Sequence, residues 1–196
     1  MILPIVAYGD PVLKKKAVPI DRKHPNLKQF INSMWDTMYA ANGVGLAAPQ
    51  IGESIRLFVV DGSPFSRDNN LDSVEKHELK TFKRVFINPN IISYSGPQEA
   101  FNEGCLSIPD VREDVMRQTT IEIEYYNENF KHITEEFSGI AARIIQHEYD
   151  HIEGLLFTDR LGSLKKKLLK TKLAQISRGK ISPDYLMRFP NKTSIG

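Results

Sequence analysis

The feature that most constrains this chain is the segment QHEYDH at residues 146–151. It places His147 and His151 four residues apart, so a helix carries both imidazoles on one face, with Glu148 about a quarter-turn away. Two neutral imidazoles can bind one divalent cation, and the carboxylate between them can move protons on a cation-bound water without being a ligand. The segment therefore predicts a metal-dependent hydrolase built on a helix.

A third ligand is needed to complete such a site. After Glu153 the sequence contains no further glutamate and no histidine, so a downstream ligand of either type is excluded. Cys105, the single cysteine, lies upstream in the segment EGCLS at residues 103–107. An isolated cysteine is more often a small buried apolar residue, but the glycine and polar residues around this one favour a ligand. A thiolate with two imidazoles leaves a fourth position open for water.

A third motif is the glycine- and alanine-rich segment GVGLAAPQ at residues 43–50. Its small residues permit close approach of the backbone to a ligand, and Gln50 ends it with an amide that can donate a hydrogen bond. Alone, such a run is more typical of a tight packing turn. With the other two motifs it predicts a binding loop.

The three motifs GVGLAAPQ, EGCLS and QHEYDH, in this order, resemble the signature motifs of the peptide deformylase family. The resemblance covers residues 1–160 and includes YGDPVL at residues 8–13, FINP at 86–89 and EGLLF at 153–157. It implies an α+β fold with antiparallel strands around a central metal-binding helix, flanked by N- and C-terminal helices. It also implies hydrolytic removal of the N-formyl group from the formylmethionine of newly made polypeptides, with release of formate.

The resemblance assigns roles to individual residues. Cys105, His147 and His151 are the expected metal ligands, and Glu148 is the expected general base. Negative charge that develops on the formyl oxygen is expected to meet the Gln50 amide and the Leu106 backbone N–H.

The substrate is expected to bind beside the metal. Gly43 and Gly45 are expected to pair with an extended peptide through their backbone groups. An apolar slot for the methionine side chain is expected from Val44, Phe101, Ile140, Ile144 and the ring of His147. Arg143 stands where an aliphatic residue is often found, and an exposed guanidinium with a covering stem is the simplest expectation for it.

Supporting contacts and the metal follow from the same resemblance. Glu103 and Arg112 are expected to pair and hold the Cys105 segment, and Asp150 is expected to orient a neighbour of the ligand helix. The resemblance implies Fe²⁺ as the physiological metal, with Ni²⁺ or Co²⁺ able to substitute. The affinity order of the ligand set favours Zn²⁺ in purified protein.

Composition limits the other classes. A chain of 196 residues with 41% hydrophobic and 26% charged residues is long enough for one core and short for two. It contains no apolar run of membrane-spanning length, begins without a signal-peptide pattern and has one unpaired cysteine. These features predict a cytoplasmic protein with neither membrane nor DNA as a partner, and the resemblance implies formylated nascent peptides as partners.

Charge divides the chain into two parts. Residues 162–196 carry a net charge of +8, whereas the preceding residues carry −6. We therefore predict a catalytic domain at residues 1–161 and a basic C-terminal helix and tail at residues 162–196, either within the same domain or as an extension. An amphipathic helix packed on the domain and a ribosome-binding helix are both compatible with this pattern.

Periodicity predicts the main elements. Helices are expected at residues 25–41, 139–151 and 164–177, the last with Ser163 as its cap and Gly179 as its end. Strands are expected at residues 55–61, 84–88, 121–126 and 130–137, the last two joined as a hairpin. Residues 62–83 are expected to form a polar surface excursion, with a solvated loop favoured over a wall of the site entrance.

Two other functions fit parts of this pattern. A metallopeptidase that cuts internal amide bonds also uses HExxH, but the lack of a downstream ligand argues against it. An RNA-binding domain with a structural metal explains the basic tail, yet a structural site usually has a fourth protein ligand.

Overall fold

The computed structural model describes residues 1–190. It contains four α-helices: α1 (Leu27–Ala40), α2 (Ser73–Leu79), α3 (Gly139–Ile152) and α4 (Ser163–Ser177). Its strands are β1 (Ile5–Val6), β2 (Gly45–Ala47), β3 (Leu57–Asp61), β4 (Lys83–Cys105), β5 (Ile108–Tyr126), β6 (His132–Ser138) and β7 (Met187–Arg188). Short 3₁₀ turns connect several of these elements. No helix within residues 1–190 is both long and apolar enough to cross a bilayer.

The strands form one large antiparallel sheet and one small parallel pair. The large sheet has the order β2-β3-β4-β5-β6, and β1 pairs with β7 in parallel. Helix α3 packs against this sheet through its apolar face, where Ile144, Ile145 and Ile152 are buried. The α+β class with antiparallel strands around a central helix is confirmed.

The pair β4 and β5 extends far beyond the predicted strands. The expected spans at residues 84–88 and 121–126 are present, but the ladder continues to Cys105 on β4 and starts at Ile108 on β5. Residues 92–100 are exposed, so this part of β4 lacks the apolar alternation that identifies a strand in a sequence. Register shifts along the ladder bend the two strands. Cys105 is the last residue of β4.

The segment at residues 62–83 is more ordered than a solvated loop. It contains a 3₁₀ turn at Ser63–Arg67 and the short helix α2, whose N-terminus is capped by the Asp72 carboxylate. Leu79 at the end of α2 is buried. Glu75 accepts a hydrogen bond from the backbone N–H of Ile140 at 2.8 Å, so this segment supports the start of α3. Helix α2 was not predicted from the sequence because a seven-residue helix with one buried leucine has almost no periodicity of apolar residues.

The predicted helix at residues 25–41 is confirmed as α1, which buries Ile31, Met34 and Met38. The predicted hairpin is confirmed as β5 and β6, with the turn between Tyr126 and His132. Both signals were strong because the more buried side chains recur with the period of each element, about 3.6 residues in the helix and two in the strands. Helix α1 leads into the glycine-rich segment at residues 43–50, which contains β2.

The C-terminal helix differs from its prediction at its start and on its face. Gly162 is the N-cap, and Ser163, the expected cap, is the first helical residue. Leu173 and Ile176 are buried, whereas Leu164 and Leu168 are 71% and 72% exposed, so the apolar stripe is only half used. The predicted end at Gly179 is confirmed by its positive φ of 66°.

The C-terminal part packs on the body of the protein. Leu173 and Ile176 of α4 belong to the same apolar cluster as Val6, Leu13 and Ile108. Strand β7 then pairs with β1 near the N-terminus. The division between residues 1–161 and 162–196 stays a prediction, and within the described residues the two parts share this core.

Candidate active site

The three predicted ligands meet at the inner face of α3. His147 and His151 are one helical turn apart, and Cys105 reaches them from the end of β4. One donor atom from each residue lies within 4.8 Å of the other two. The Cys105 Sγ and the His151 Nε2 are 3.3 Å apart. A thiolate and two imidazoles at these separations can hold one divalent cation.

His147 is held in place by the carboxylate of Glu103. Successive side chains alternate along β4, so Glu103 lies on the same face as Cys105, two residues later. Its Oε2 accepts a hydrogen bond from the Nδ1 of His147 at 2.9 Å, which leaves Nε2 of the ring for a cation. Burial lowers the pKa of His147, but the neighbouring Cys105 and Glu103 outweigh burial and raise it to about 10, so a cation that binds Nε2 would displace a proton from the ring.

The partner of Glu103 is Arg117, and the predicted pair with Arg112 is wrong. Arg117 donates from Nε to Oε1 of Glu103 at 2.7 Å and from Nη2 to Oε2 at 2.9 Å. Arg112 donates instead to the side chain and carbonyl of Asn102. The alternation of β5 explains the difference, because Val115 and Arg117 face inward whereas Arg112 faces outward.

The charges around Glu103 continue to the end of α3. Asp150 accepts a hydrogen bond from Nη1 of Arg117 at 2.8 Å and another from Nε of Arg160 at 2.6 Å. Burial opposes ionisation of Glu103, yet Arg117 and His147 hold its pKa well below the usual range. The expected role of Asp150 beside the ligand helix therefore has a geometric basis, since it fixes the arginine that fixes Glu103.

Arg143 is buried, contrary to the expectation of an exposed guanidinium. It donates to Oε1 of Glu103 at 3.1 Å and to the carbonyls of Val115 and Glu99 at 3.0 and 2.7 Å. Its guanidinium also lies 5.6 Å from the ring centre of Phe101. The arginine can be buried at this position because Glu103 balances its charge and two carbonyls accept its hydrogen bonds.

Glu148 lies on the side of α3 that faces the glycine-rich segment. A side chain at Gly45 would overlap with its carboxylate, so glycine is required there. The Oε2 of Glu148 is buried and accepts no hydrogen bond from a described residue. Burial raises the pKa of Glu148 to about 7 although His147 opposes this shift.

Gln50 and Leu106 lie on either side of Cys105. Gln50 is fixed by its Oε1, which accepts the Ala47 N–H at 2.8 Å. Its Nε2 is thereby directed toward Cys105 Sγ, at 3.6 Å, and Ser107 Oγ, at 3.4 Å. Leu106 follows Cys105 in the sequence, and its side chain packs against Gly43. A Cβ added at Gly43 would lie 2.8 Å from Cδ1 of Leu106.

A cleft of about 510 Å³ opens over these groups. Of the residues expected to contact substrate, six line it: Gly43, Val44, Gly45, Phe101, Ile144 and His147. Ile140 is not among the described lining residues and packs in the core beneath. The lining also includes Phe65 and residues 182–185, which carried no recognisable motif in the sequence.

A thiolate, two imidazoles and a buried carboxylate at the floor of an open cleft define a metal-dependent hydrolase. Residues 2–167 match the family described as polypeptide deformylase. A peptide deformylase of Christiangramia forsetii is 63% identical over 191 residues, which cover 97% of both chains. Another from Flavobacterium johnsoniae is 58% identical over 189 residues, 96% of each chain.

The fold agrees with these sequence matches. The crystal structure of a peptide deformylase from Legionella pneumophila has a TM-score of 0.75 at 37% identity, covering 92% of this chain and 98% of that one. The chain therefore belongs to the peptide deformylase family. It is an enzyme that removes the N-formyl group from newly made polypeptides, and this decides against a peptidase of internal bonds and a purely structural metal domain.

Proposed function

We propose that Cys105, His147 and His151 hold a divalent cation and that Glu148 is the general base of deformylation. The observation that carries this proposal is the meeting of three donor atoms within 4.8 Å, beside a buried carboxylate. The donor set fits a cation of intermediate softness, because it combines a thiolate with imidazoles. When bound, such a cation supplies Lewis acidity to a water molecule and to the formyl oxygen.

Glu148 is suited to move the proton in both directions. Its burial raises its pKa to about 7, so the carboxylate can accept a proton from the attacking water near neutral pH. It can then deliver that proton to the peptide nitrogen as the bond between the formyl carbon and this nitrogen breaks. The products are formate and a peptide with a free methionine amine.

Gln50 and the Leu106 N–H are the proposed donors to the developing oxyanion. Nε2 of Gln50 is directed to the Cys105 side of the cleft because its Oε1 is fixed by Ala47. Donors that are oriented before the reaction stabilise the charge of the transition state without further reorganisation.

The formylmethionine side chain is proposed to occupy the apolar wall of the cleft. Val44, Phe101 and Ile144 line it directly, while Ile140 supports the wall from the core. Gly43 and Gly45 leave backbone groups accessible for an extended peptide. The Arg143 guanidinium closes the end of the slot next to Phe101 and is neutralised by Glu103.

Formate release from a formylated Met-Ala-Ser peptide, compared with cleavage of its internal bonds, tests the proposed function. We expect stoichiometric formate and an intact tripeptide product. Removal of the cation by a chelator should abolish the reaction, and its return should restore it. Cleavage between methionine and alanine, or full activity without a cation, would contradict the proposed roles.

We propose Fe²⁺ as the physiological cation, with Zn²⁺, Ni²⁺ or Co²⁺ as substitutes in purified protein. Air oxidises Fe²⁺ to Fe³⁺ and leaves Ni²⁺ unchanged, so the iron form should lose activity in air while the nickel form persists. Metal analysis of protein prepared without oxygen, together with rates measured before and after exposure to air, checks this. Equal decay of the iron and nickel forms would argue against iron.

We propose that the enzyme acts in the cytoplasm, where formylated nascent chains are made, and that α4 contacts the ribosome. Lys165 pairs with Glu113 and Lys166 donates to the Asp159 carbonyl, but Lys167 and Lys170 form no ion pair with a described residue. Exposed lysines can bind RNA phosphates through release of counterions.

Charge reversal tests the ribosome contact better than truncation, because Leu173 and Ile176 of the tail belong to the core. The double variant Lys167→Glu/Lys170→Glu should keep its rate on a short formylated peptide and lose salt-sensitive co-sedimentation with ribosomes. The variant Lys23→Glu/Lys28→Glu changes the total charge equally on exposed residues elsewhere. Equal co-sedimentation of the two variants would show that α4 has no special role.

A further inference from the structure

The segment that connects α4 to β7, residues 178–186, forms part of the catalytic cleft although it follows the last family-matched residue, 167. It is fixed at its end by backbone hydrogen bonds to the N-terminal strand. The Ile5 N–H donates to the Leu186 carbonyl at 2.9 Å, and the Ala7 N–H donates to the Arg188 carbonyl at 2.9 Å. These hydrogen bonds fix the end of the connecting segment beside the cleft.

One side chain of this segment contacts the backbone next to the metal ligand Cys105. The Tyr185 hydroxyl donates a hydrogen bond to the Leu106 carbonyl at 2.7 Å. The Tyr185 side chain is partly buried and packs with Leu106 against the apolar cluster of α1 and β3. The contact thus links two parts of the chain that are 79 residues apart.

Leu106 is restrained on its other sides as well. Its side chain fills the space above Gly43, and the following carbonyl, of Ser107, accepts the Tyr8 N–H at 2.8 Å. The hydroxyl of Ser107 lies 3.4 Å from Nε2 of Gln50. The hydrogen bond from Tyr185 fixes the Leu106 carbonyl and with it the peptide unit between Leu106 and Ser107. This unit is joined through the Cα of Leu106 to the unit that carries the Leu106 N–H.

We propose that Tyr185 is a positioning residue, which holds Leu106 so that its backbone N–H points at the formyl oxygen in the transition state. The inference rests on the proposed role of Leu106 as an oxyanion donor. Such donors act through fixed orientation, and a small misplacement lowers the rate of the chemical step more than it weakens substrate binding. The connecting segment would then complete the active site from outside the region that carries the family motifs.

Replacement Tyr185→Phe removes the hydroxyl and keeps the ring. We expect kcat for a short formylated peptide to fall about 3- to 10-fold, the range of one hydrogen bond, with KM changed less than about twofold. Tyr39→Phe is the matched control, because its hydroxyl donates to Asp61 at 2.6 Å outside the cleft. This control should leave kcat and KM unchanged.

The rate of amide hydrogen exchange in the peptide that contains residues 105–107 distinguishes the positioning role of Tyr185 from the role of Leu106 as an oxyanion donor. Faster exchange in Tyr185→Phe, together with lower kcat and unchanged metal content, supports the inference. Faster exchange with unchanged kcat would overturn it and also remove Leu106 as a sensitive oxyanion donor. Unchanged exchange and kcat would overturn the positioning role while leaving the role of Leu106 intact, as would a rise in KM alone.

Discussion

Two groups of charged residues in this enzyme form ion pairs with similar distances between nitrogen and oxygen, but one group is buried and the other is exposed to solvent. The inner charge cluster consists of Glu103, Arg117, Arg143, His147 and Asp150. The Arg117–Glu103 ion pair is 2.7 Å long, and its side chains are 1% and 4% exposed. The Lys165–Glu113 ion pair, which joins α4 to β5, is also 2.7 Å long, but its side chains are 44% and 25% exposed. The distance alone therefore does not reveal what a pair contributes.

The difference in burial indicates which charges can fix the orientation of the side chains around them. In the inner charge cluster each carboxylate oxygen has donors in place of water, so loss of one partner leaves a buried charge uncompensated. Around α4 water replaces a lost partner and ions screen the pair. The inner charge cluster can hold His147 in one orientation, while the lysines of α4 remain available for other contacts.

The largest expected effect is that of Glu148→Gln at the active site, compared with Glu113→Gln beside α4. The first change keeps the shape and removes the base, so the rate should fall about 100- to 10,000-fold with the cation retained. The second should leave the rate unchanged. Formate release and metal content of both variants check this. A Glu148→Gln rate above about a tenth of the wild-type rate would refute the role of general base.

The next largest effect is expected from Arg117→Met within the inner charge cluster. Arg117 contacts Glu103 and Asp150, and its removal leaves both carboxylates with fewer buried donors. The free energy of unfolding should fall by about 3 kcal/mol or more, as for other broken buried pairs. Urea denaturation of the cation-free protein measures this change. A loss under about 1 kcal/mol would show that Arg143 and Arg160 compensate fully.

The sequence predicted the parts of the site that have a local pattern. Helix α3 was predicted to within one residue of its observed end, because its ligands and apolar residues share the helical period. Cys105 was also predicted to join the two histidines, since neither a glutamate nor a histidine follows Glu153, and the three donor atoms do lie within 4.8 Å of one another. These predictions needed no knowledge of which strands are neighbours.

The errors arose where distant segments meet. Arg112 was expected as the partner of Glu103 from the family resemblance, whereas the observed partner, Arg117, follows from the inward face of β5 and its register with β4. Val111, Val115 and Arg117 lie at alternate positions on the buried face of β5, and this spacing would have favoured Arg117. The polar outer part of β4 and β5, however, lacks the pattern of a strand. Tyr185 had no local signal, because its contact with Leu106 depends on the pairing of β7 with β1.

The smallest effect is expected from the exposed pair of α4. Lys165→Met and Glu113→Gln should each change the free energy of unfolding several-fold less than Arg117→Met does, since water solvates the remaining charge. The double variant isolates the coupling between the two side chains, and this coupling should decrease towards zero as sodium chloride is raised to about 1 M, where the screening length is about 3 Å. A coupling that is as large as the loss in Arg117→Met and insensitive to salt would mean that burial does not separate the two groups of charges. A small, salt-sensitive coupling would show that the exposed pair adds little to stability, and formate release by Lys165→Met should then equal that of the wild type, because water replaces the lost partner.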